Sequence, residues 1–363
     1  MYETPTLLLD EARCRRNLQA MQAKADQHGL RLRPHVKTHQ SLTIARWMRE
    51  LGAEGLTVSS LGMAEYFAAE WDDLTVAFPT NLREIERIRR LASRVRLNLL
   101  VESTATARFL QEQLTHPVGI FLAIDVGYHR TGLDPEALTE IEAILAVLDL
   151  APQLTFRGWL AHAGHSYQCH DAACIEATHR SAVAQVRALK GHFAARYPEA
   201  IASLGDTPGC SVSEHFEGID EIRPGNYVFY DLAQQQIGSN TYEQIALAMA
   251  CPVVALHPRR QEAVLYGGGV HFSKDRLTDA EGHQVWGQVV RRTDNGWGTP
   301  IEGMYLRSLS QEHGIVRVPS SEMGNLSIGD YLLVLPVHAC MAAACMGEYV
   351  TLAGERMGRW RGR

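Results

Sequence analysis

Arg33-Pro34-His35-Val36-Lys37-Thr38-His39 sets a lysine at the end of a short apolar strand, between two histidines. The strand reads as Arg31–Val36, and a helical run from Gln40 to Glu50 follows directly. A lysine so placed points into the mouth of an α/β barrel, where catalytic groups collect at strand ends. Desolvation and neighbouring cations lower a lysine pKa and leave a nucleophilic amine. Such an amine forms Schiff bases with carbonyls, among them the aldehyde of pyridoxal phosphate (PLP). A strand-end lysine by itself is more often an ion-pair partner, so the flanking sequence has to decide.

Outward from this stretch, apolar runs alternate with amphipathic ones. Strands are expected at Arg31–Val36, Leu56–Ser59, Leu74–Phe78, Arg96–Val101, Ile120–Val126, Phe156–Ala161, Ala202–Gly205 and Glu221–Val228. Between them Asn81–Arg94, Thr104–Leu114, Pro135–Leu148 and Ile175–Tyr197 repeat apolar residues at i, i+3 and i+4, the period of a helix with one buried face. With an initial helix near Ala12–His28, this alternation predicts an α/β fold: a (β/α)8 TIM-type barrel over residues 10–243, with a doubly wound sheet as the fallback. From 244 to 363 β-branched, alternating stretches dominate (Ala246–Ala255, Gln261–Tyr266, Val285–Arg291, Gly314–Val318, Tyr331–Val334 and Tyr349–Leu352), divided by turns such as Gly267-Gly268-Gly269 and Asp294-Asn295-Gly296. This part reads as a C-terminal all-β domain, to which residues 1–9 add a strand at Thr6–Leu9.

Bulk properties narrow the function classes. A chain of 363 residues, 46% hydrophobic and 21% charged, suits one barrel-sized domain and a smaller one. A net charge of -6 with interspersed signs offers no field for nucleic acid. The Arg-rich tail from Arg356 to Arg363 reads as a solvated end. No apolar run reaches the roughly 18 residues of a membrane span. The start Met1-Tyr2-Glu3-Thr4 lacks a basic, signal-like segment, which points to the cytoplasm. Seven cysteines, an odd number with no CxxC spacing, argue against a disulfide framework and a zinc ribbon.

Several polar clusters fall at expected strand ends. Arg130 lies in Asp125-Val126-Gly127-Tyr128-His129-Arg130-Thr131-Gly132, where a guanidinium held between glycines can meet an anionic oxygen. His162 and Tyr167 lie in His162-Ala163-Gly164-His165-Ser166-Tyr167, and an imidazole there can stack on a heteroaromatic ring. Gly205-Asp206-Thr207-Pro208-Gly209-Cys210-Ser211 and Arg223-Pro224-Gly225-Asn226-Tyr227 end the last two strands, the usual place for a phosphate in such barrels. In the β part, Ser310-Gln311-Glu312-His313-Gly314 is a polar turn. His338-Ala339-Cys340 puts imidazole and thiolate two residues apart, on one side of an extended chain. Such a pair leaves an open zinc site for water and substrate.

These landmarks together resemble the D-serine dehydratase-like proteins, a family of fold-type III PLP enzymes that also includes D-threonine aldolases. The resemblance runs nearly end to end, from Thr4-Pro5-Thr6 to His338–Cys340. It implies that Lys37 is the Schiff-base lysine, that Thr207, Gly225 and Asn226 hold the PLP phosphate, and that His162 lies against the pyridine ring. It also implies Arg130 near the phenolic oxygen, Tyr167 in the cofactor pocket, His338 and Cys340 as metal ligands, and a homodimer. The activity so implied is a PLP- and Zn2+-dependent dehydratase acting on a D-3-hydroxy amino acid. The alternatives are an aldolase using Mn2+ or Mg2+, an amino-acid racemase, and a non-catalytic PLP-binding protein. Cys340 favours the dehydratase, because thiolate prefers zinc to the harder ions. Dehydratases of this family often continue His-Ser-Cys-Leu-Thr, whereas Ala339, Met341 and Ala342 stand here. The missing hydroxyls remove partners that tune metal and substrate placement.

Overall fold

The computed structural model describes residues 2–362. Met1, at the start of the segment expected to add a strand, and Arg363, at the end of the Arg-rich tail, lie outside the described residues. The chain forms two compact units, one of Gln19–Gly225 and one joining the residues up to Leu18 with Asn226–Arg361. It begins with strand β1 (Thr6–Leu9) and helix α1 (Glu11–Gln27).

The first unit alternates strand and helix: β2 (Arg31–Leu32), α2 (Leu42–Glu50), β3 (Leu56–Val58), α3 (Leu61–Phe67), β4 (Asp73–Pro79), α4 (Ile85–Ala92), β5 (Arg96–Val101), α5 (Thr104–Gln113) and β6 (Val118–Ile124). It continues with α6 (Leu138–Asp149), β7 (Leu154–Ala161), α7 (Ala172–Phe193), β8 (Ile201–Leu204), α8 (Thr207–Val212) and β9 (Glu221–Ile222). All eight strands are parallel, in the order β2-β9-β8-β7-β6-β5-β4-β3. A bridge between His35 and Thr57 closes the ring: Val36 N donates to Thr57 O, and Thr57 N to Pro34 O, each at 2.9 Å.

Local sequence explains most of this. Every residue of β6 is buried, as a parallel strand covered on both faces requires. Helix α6 buries Ile141, Ile144, Leu145 and Leu148, one helical face. Helices α3, α5, α7 and α8 start where Ser60, Ser103, Asp171 and Asp206 accept a hydrogen bond from an amide of the first turn. The barrel centre packs Leu100, Phe121, Ala123 and Leu160, with Ile201 against them. Gly158 sits at φ +138° where the pairing of β6 with β7 shifts register, and a Cβ there would lie 1.9 Å from Ile201 O. No other residue fits that approach.

Three sequence expectations need correction in this unit. The strand expected at Arg31–Val36 stops at Leu32, because Pro34 has no amide hydrogen to give a ladder. Lys37 therefore stands in a turn spanning Val36–His39, beyond the His35 bridge. The strand expected to reach Val228 likewise stops at Ile222, ahead of Pro224, and Asn226–Val228 forms a single 3-10 turn. Cys169 and Cys174 are joined in a disulfide, against the expectation from the odd cysteine count. The bond spans only a short loop, and among the described residues Cys14, Cys210, Cys251, Cys340 and Cys345 are in no disulfide.

In the second unit β1 pairs antiparallel with β10 (Leu247–His257) and parallel with a later strand, placed below. After β10 come β11 (Glu262–Tyr266), the small hairpin of β12 (Leu277–Thr278) and β13 (Gln284–Val285), β14 (Gly287–Thr293), β15 (Gly296–Leu309), β16 (His313–Arg317), β17 (Tyr331–Pro336), β18 (Glu348–Thr351) and β19 (Arg356–Gly358). Strands β10, β17, β14, β15, β16 and β11 close into an antiparallel ring, since β10 pairs with both β17 and β11. Strands β1, β18 and β19 extend the sheet beyond β10. The sequence reading omitted β15, whose Gly-Trp-Gly-Thr-Pro start lacks strand character. The tail is ordered rather than loose: β19 pairs with β18, and buried Arg359 donates from Nη1 to Met346 O at 3.0 Å.

Candidate active site

At the open ends of the barrel strands, the first unit gathers six of the residues singled out in the sequence. Lys37 N donates to His35 Nδ1 at 3.4 Å, and the Lys37 charge acts on the rings of both His35 and His162. Burial, then that charge, pushes His162 down to about 3 and His35 well below the usual histidine range, so both rings are neutral. The carbonyl of Gly205 only accepts, so the hydrogen bond it makes with His162 puts the ring proton on Nδ1. His162 lies between two aromatic rings, edge-on to Tyr128 at 5.7 Å between centroids and tilted to Tyr167 at 6.3 Å. Arg130 lies over the Tyr128 ring at 4.9 Å, and its charge also reaches His162.

Thr207, Tyr167 and Gly225 meet through the backbone. Thr207 N donates to Tyr167 Oη at 3.4 Å, and Gly225 N to Thr207 Oγ1 at 3.3 Å. Gly225 is obligatory here, because a Cβ would sit 2.9 Å from His35 O and 3.3 Å from Thr38 Oγ1. Asp206 underpins the group: it is fully buried, accepts from Ser166 Oγ at 2.8 Å and Gly209 N at 2.6 Å, and burial raises its pKa. It thereby ties the turn carrying Tyr167 to the turn carrying Thr207.

In the second unit Asn226, His338 and Cys340 come together. Asn226 Nδ2 lies 3.5 Å from Cys340 Sγ, and the side chains of His338 and Cys340 are hydrogen-bonded. The pair does not lie on an extended chain as expected; His338 is the residue before a helix, Ala339–Cys345, in which Cys340 occupies the first turn. Buried Asp231 holds this corner, accepting from Asn226 Nδ2 at 2.7 Å and from Ala339 N at 2.9 Å. Burial works against a charged His338, but Asp275, Cys340 and Asp231 outweigh it and hold its pKa up at about 11. The sequence reading gave no role to Asp231, Asp206, Tyr128 or Asp275. Asp206 and Asp231 carry a legible signal, since each begins a helix and caps an amide three residues on.

The donor chemistry suits both groups that the sequence implies. An amine in the turn past the His35 bridge, a neutral imidazole ring, and hydroxyl and amide groups beside an obligatory glycine fit a phosphorylated pyridine aldehyde. An imidazole and a thiol in contact fit a borderline-soft divalent ion.

Comparison with known proteins identifies the family. Residues 9–232 match the model of the alanine racemase N-terminal domain, and residues 246–352 that of a putative serine dehydratase domain. The chain is 32% identical to a D-threo-3-hydroxyaspartate dehydratase of Delftia sp. (strain HT23), over 97% of this chain and 95% of that protein. It is 26% identical to a D-serine dehydratase of Dictyostelium discoideum, over 95% and 92%. Aldolases of D-threonine and of 3-hydroxy-D-aspartate also match. The structure superposes on a D-threo-3-hydroxyaspartate dehydratase mutant in its metal-free form with a TM-score of 0.92, at 29% identity, covering 100% of this chain and 99% of that one.

The fold and the family matches define a fold-type III PLP-dependent enzyme. Within that class the chain belongs to the family that joins an alanine racemase N-terminal domain to a D-serine dehydratase domain, whose members are lyases.

Proposed function

We propose that the protein is a PLP- and zinc-dependent dehydratase that converts a D-3-hydroxy amino acid, of the D-serine, D-threonine or 3-hydroxyaspartate type, to a 2-oxo acid and ammonia. The observation that carries this reading is the hydrogen-bonded pair of His338 and Cys340, braced by Asp231 through Ala339 N. A thiolate in the pair supports zinc over magnesium or manganese. The reading also takes residues 10–243 as the cofactor-binding part, 244–363 as the metal-carrying part, and a cytoplasmic homodimer as the working form.

Bound PLP would supply an electron sink at the substrate Cα, and a zinc ion a Lewis acid for the leaving hydroxyl. Lys37 would hold the cofactor aldehyde at rest. Its amine would also serve as the base for the Cα proton. Neutral His162, fixed by Gly205 O and flanked by Tyr128 and Tyr167, offers a ring face without a charge to oppose the cofactor ring. Thr207, Gly225 and Asn226 would hold the phosphate, with Tyr167 beside Thr207. Arg130 would stand near the phenolic oxygen, and His338 with Cys340 would hold the metal. Lys37 Nζ would take the Cα proton, and with the hydroxide lost from Cβ this amounts to loss of one water. The released enamine takes up water to give the 2-oxo acid and ammonia.

The test is product analysis of the PLP- and zinc-loaded protein with D-threonine, D-serine and D-threo-3-hydroxyaspartate. A 2-oxo acid with stoichiometric ammonia is expected. Glycine with an aldehyde would replace the reading by a retro-aldol cleavage.

A further inference from the structure

Besides Cys340 and buried Asp231, a second carboxylate acts on His338. Asp275 Oδ2 lies 3.4 Å from His338 Nδ1, with the two side chains 41% and 40% exposed. Asp275 is itself held in place: Ser273 Oγ donates to its Oδ2 at 2.8 Å, and its own amide donates to Ser273 Oγ at 3.2 Å. Ser273 adopts φ +69°, a conformation a serine takes only under constraint, and its amide is tied to Gly269 O at 2.9 Å. The loop after the helical turn Gly269–Phe272 is thus shaped so that a short side chain presents one carboxylate oxygen to one ring nitrogen.

We propose that Asp275 is the positioning residue of His338: it accepts the Nδ1 hydrogen, fixes ring and tautomer, and reserves Nε2 for the divalent ion. A carboxylate can only accept, so the contact selects the Nδ1–H tautomer. Once a metal ion displaces the other ring proton, the contact leaves the ring a single lone pair, at Nε2, and makes that nitrogen a stronger donor. The role rests on the reading that His338 and Cys340 hold a metal, and it differs from ligation because Asp275 acts through the imidazole.

The test is zinc titration of the metal-stripped, PLP-loaded full-length protein, with Asp275→Asn, Asp275→Glu and Cys340→Ala alongside. Asp275→Asn is expected to weaken zinc binding roughly 10- to 100-fold with unchanged cofactor absorbance, and Asp275→Glu to recover most of the loss. Saturating Co2+ in Asp275→Asn should give the wild-type ligand-field spectrum. A changed spectrum would make Asp275 a ligand and overturn the positioning role. Wild-type zinc affinity in Asp275→Asn, with affinity lost in Cys340→Ala, would overturn that role alone. Undiminished affinity in Cys340→Ala, or no uptake by the wild type, would overturn the metal reading and the proposal with it.

Discussion

Arg33 grips Asp73 with two hydrogen bonds, Nη1 to Oδ1 at 2.8 Å and Nη2 to Oδ2 at 3.1 Å, and turns Nε to Glu221 at 2.8 Å. The network runs on through Ser203 Oγ, which donates to Glu221 at 2.7 Å and accepts from Arg223 Nε at 2.7 Å. All five side chains are buried. The start of the Lys37 stretch is therefore fastened to β4, β8 and β9, and the lysine follows a rigid anchor. Replacing Arg33 by Met removes the cation that both buried carboxylates share, leaving Asp73 with the more exposed Arg96 at 3.3 Å, and a loss of about 3 kcal/mol is expected. Urea denaturation at neutral pH checks it; a loss below about 1 kcal/mol would show the network to be dispensable.

Lys37→Ala should lose the long-wavelength absorbance of a lysine-linked cofactor. In the wild type, borohydride reduction followed by peptide mass spectrometry should put the cofactor mass on the Lys37 peptide. A label on any other lysine would displace Lys37 from its assigned role.

Cys340→Ala should keep the cofactor spectrum of the wild type yet lose turnover by at least about 100-fold, because a ligand to the ion that activates the leaving group is gone. Steady-state assay with added zinc decides. Full activity would remove the metal from the reaction.

Acid should weaken the fold before the carboxylates titrate. His162 is held at about 3 and His35 well below the usual range, whereas unfolded histidines take up protons near 6.5. Below about pH 6.5 the unfolded chain binds more protons at these two positions, so their contribution to stability is full above that pH and is lost as pH drops toward 3. The slope is at most about 1.4 kcal/mol per pH unit for each ring. Urea midpoints of the cofactor-free protein at pH 7.5 and 5.5 measure it, and His162→Gln should flatten the dependence. The same pH dependence in His162→Gln as in the wild type would mean that the ring is not held neutral.

The barrel was legible because its signals are local. An apolar run such as Val118–Ile124 and a one-faced pattern such as Leu138–Asp149 declare their elements within a few residues, and side-chain period is a property of the backbone itself. By the same logic the residues at strand ends, Lys37, Arg130, His162 and Thr207 among them, could be named from sequence as neighbours around one barrel mouth. The tertiary structure decided what period cannot carry. It ended the Lys37 strand early, because Pro34 breaks the ladder while the His35–Thr57 bridge still closes the barrel. It also made a 14-residue strand of Gly296–Leu309, which forms because β14 and β16 flank it rather than through any strand propensity of its own. It brought Asn226 to Cys340 across 114 residues and set Asp275 against His338. Contacts between distant segments depend on how the whole chain closes, and no local pattern of residues records them.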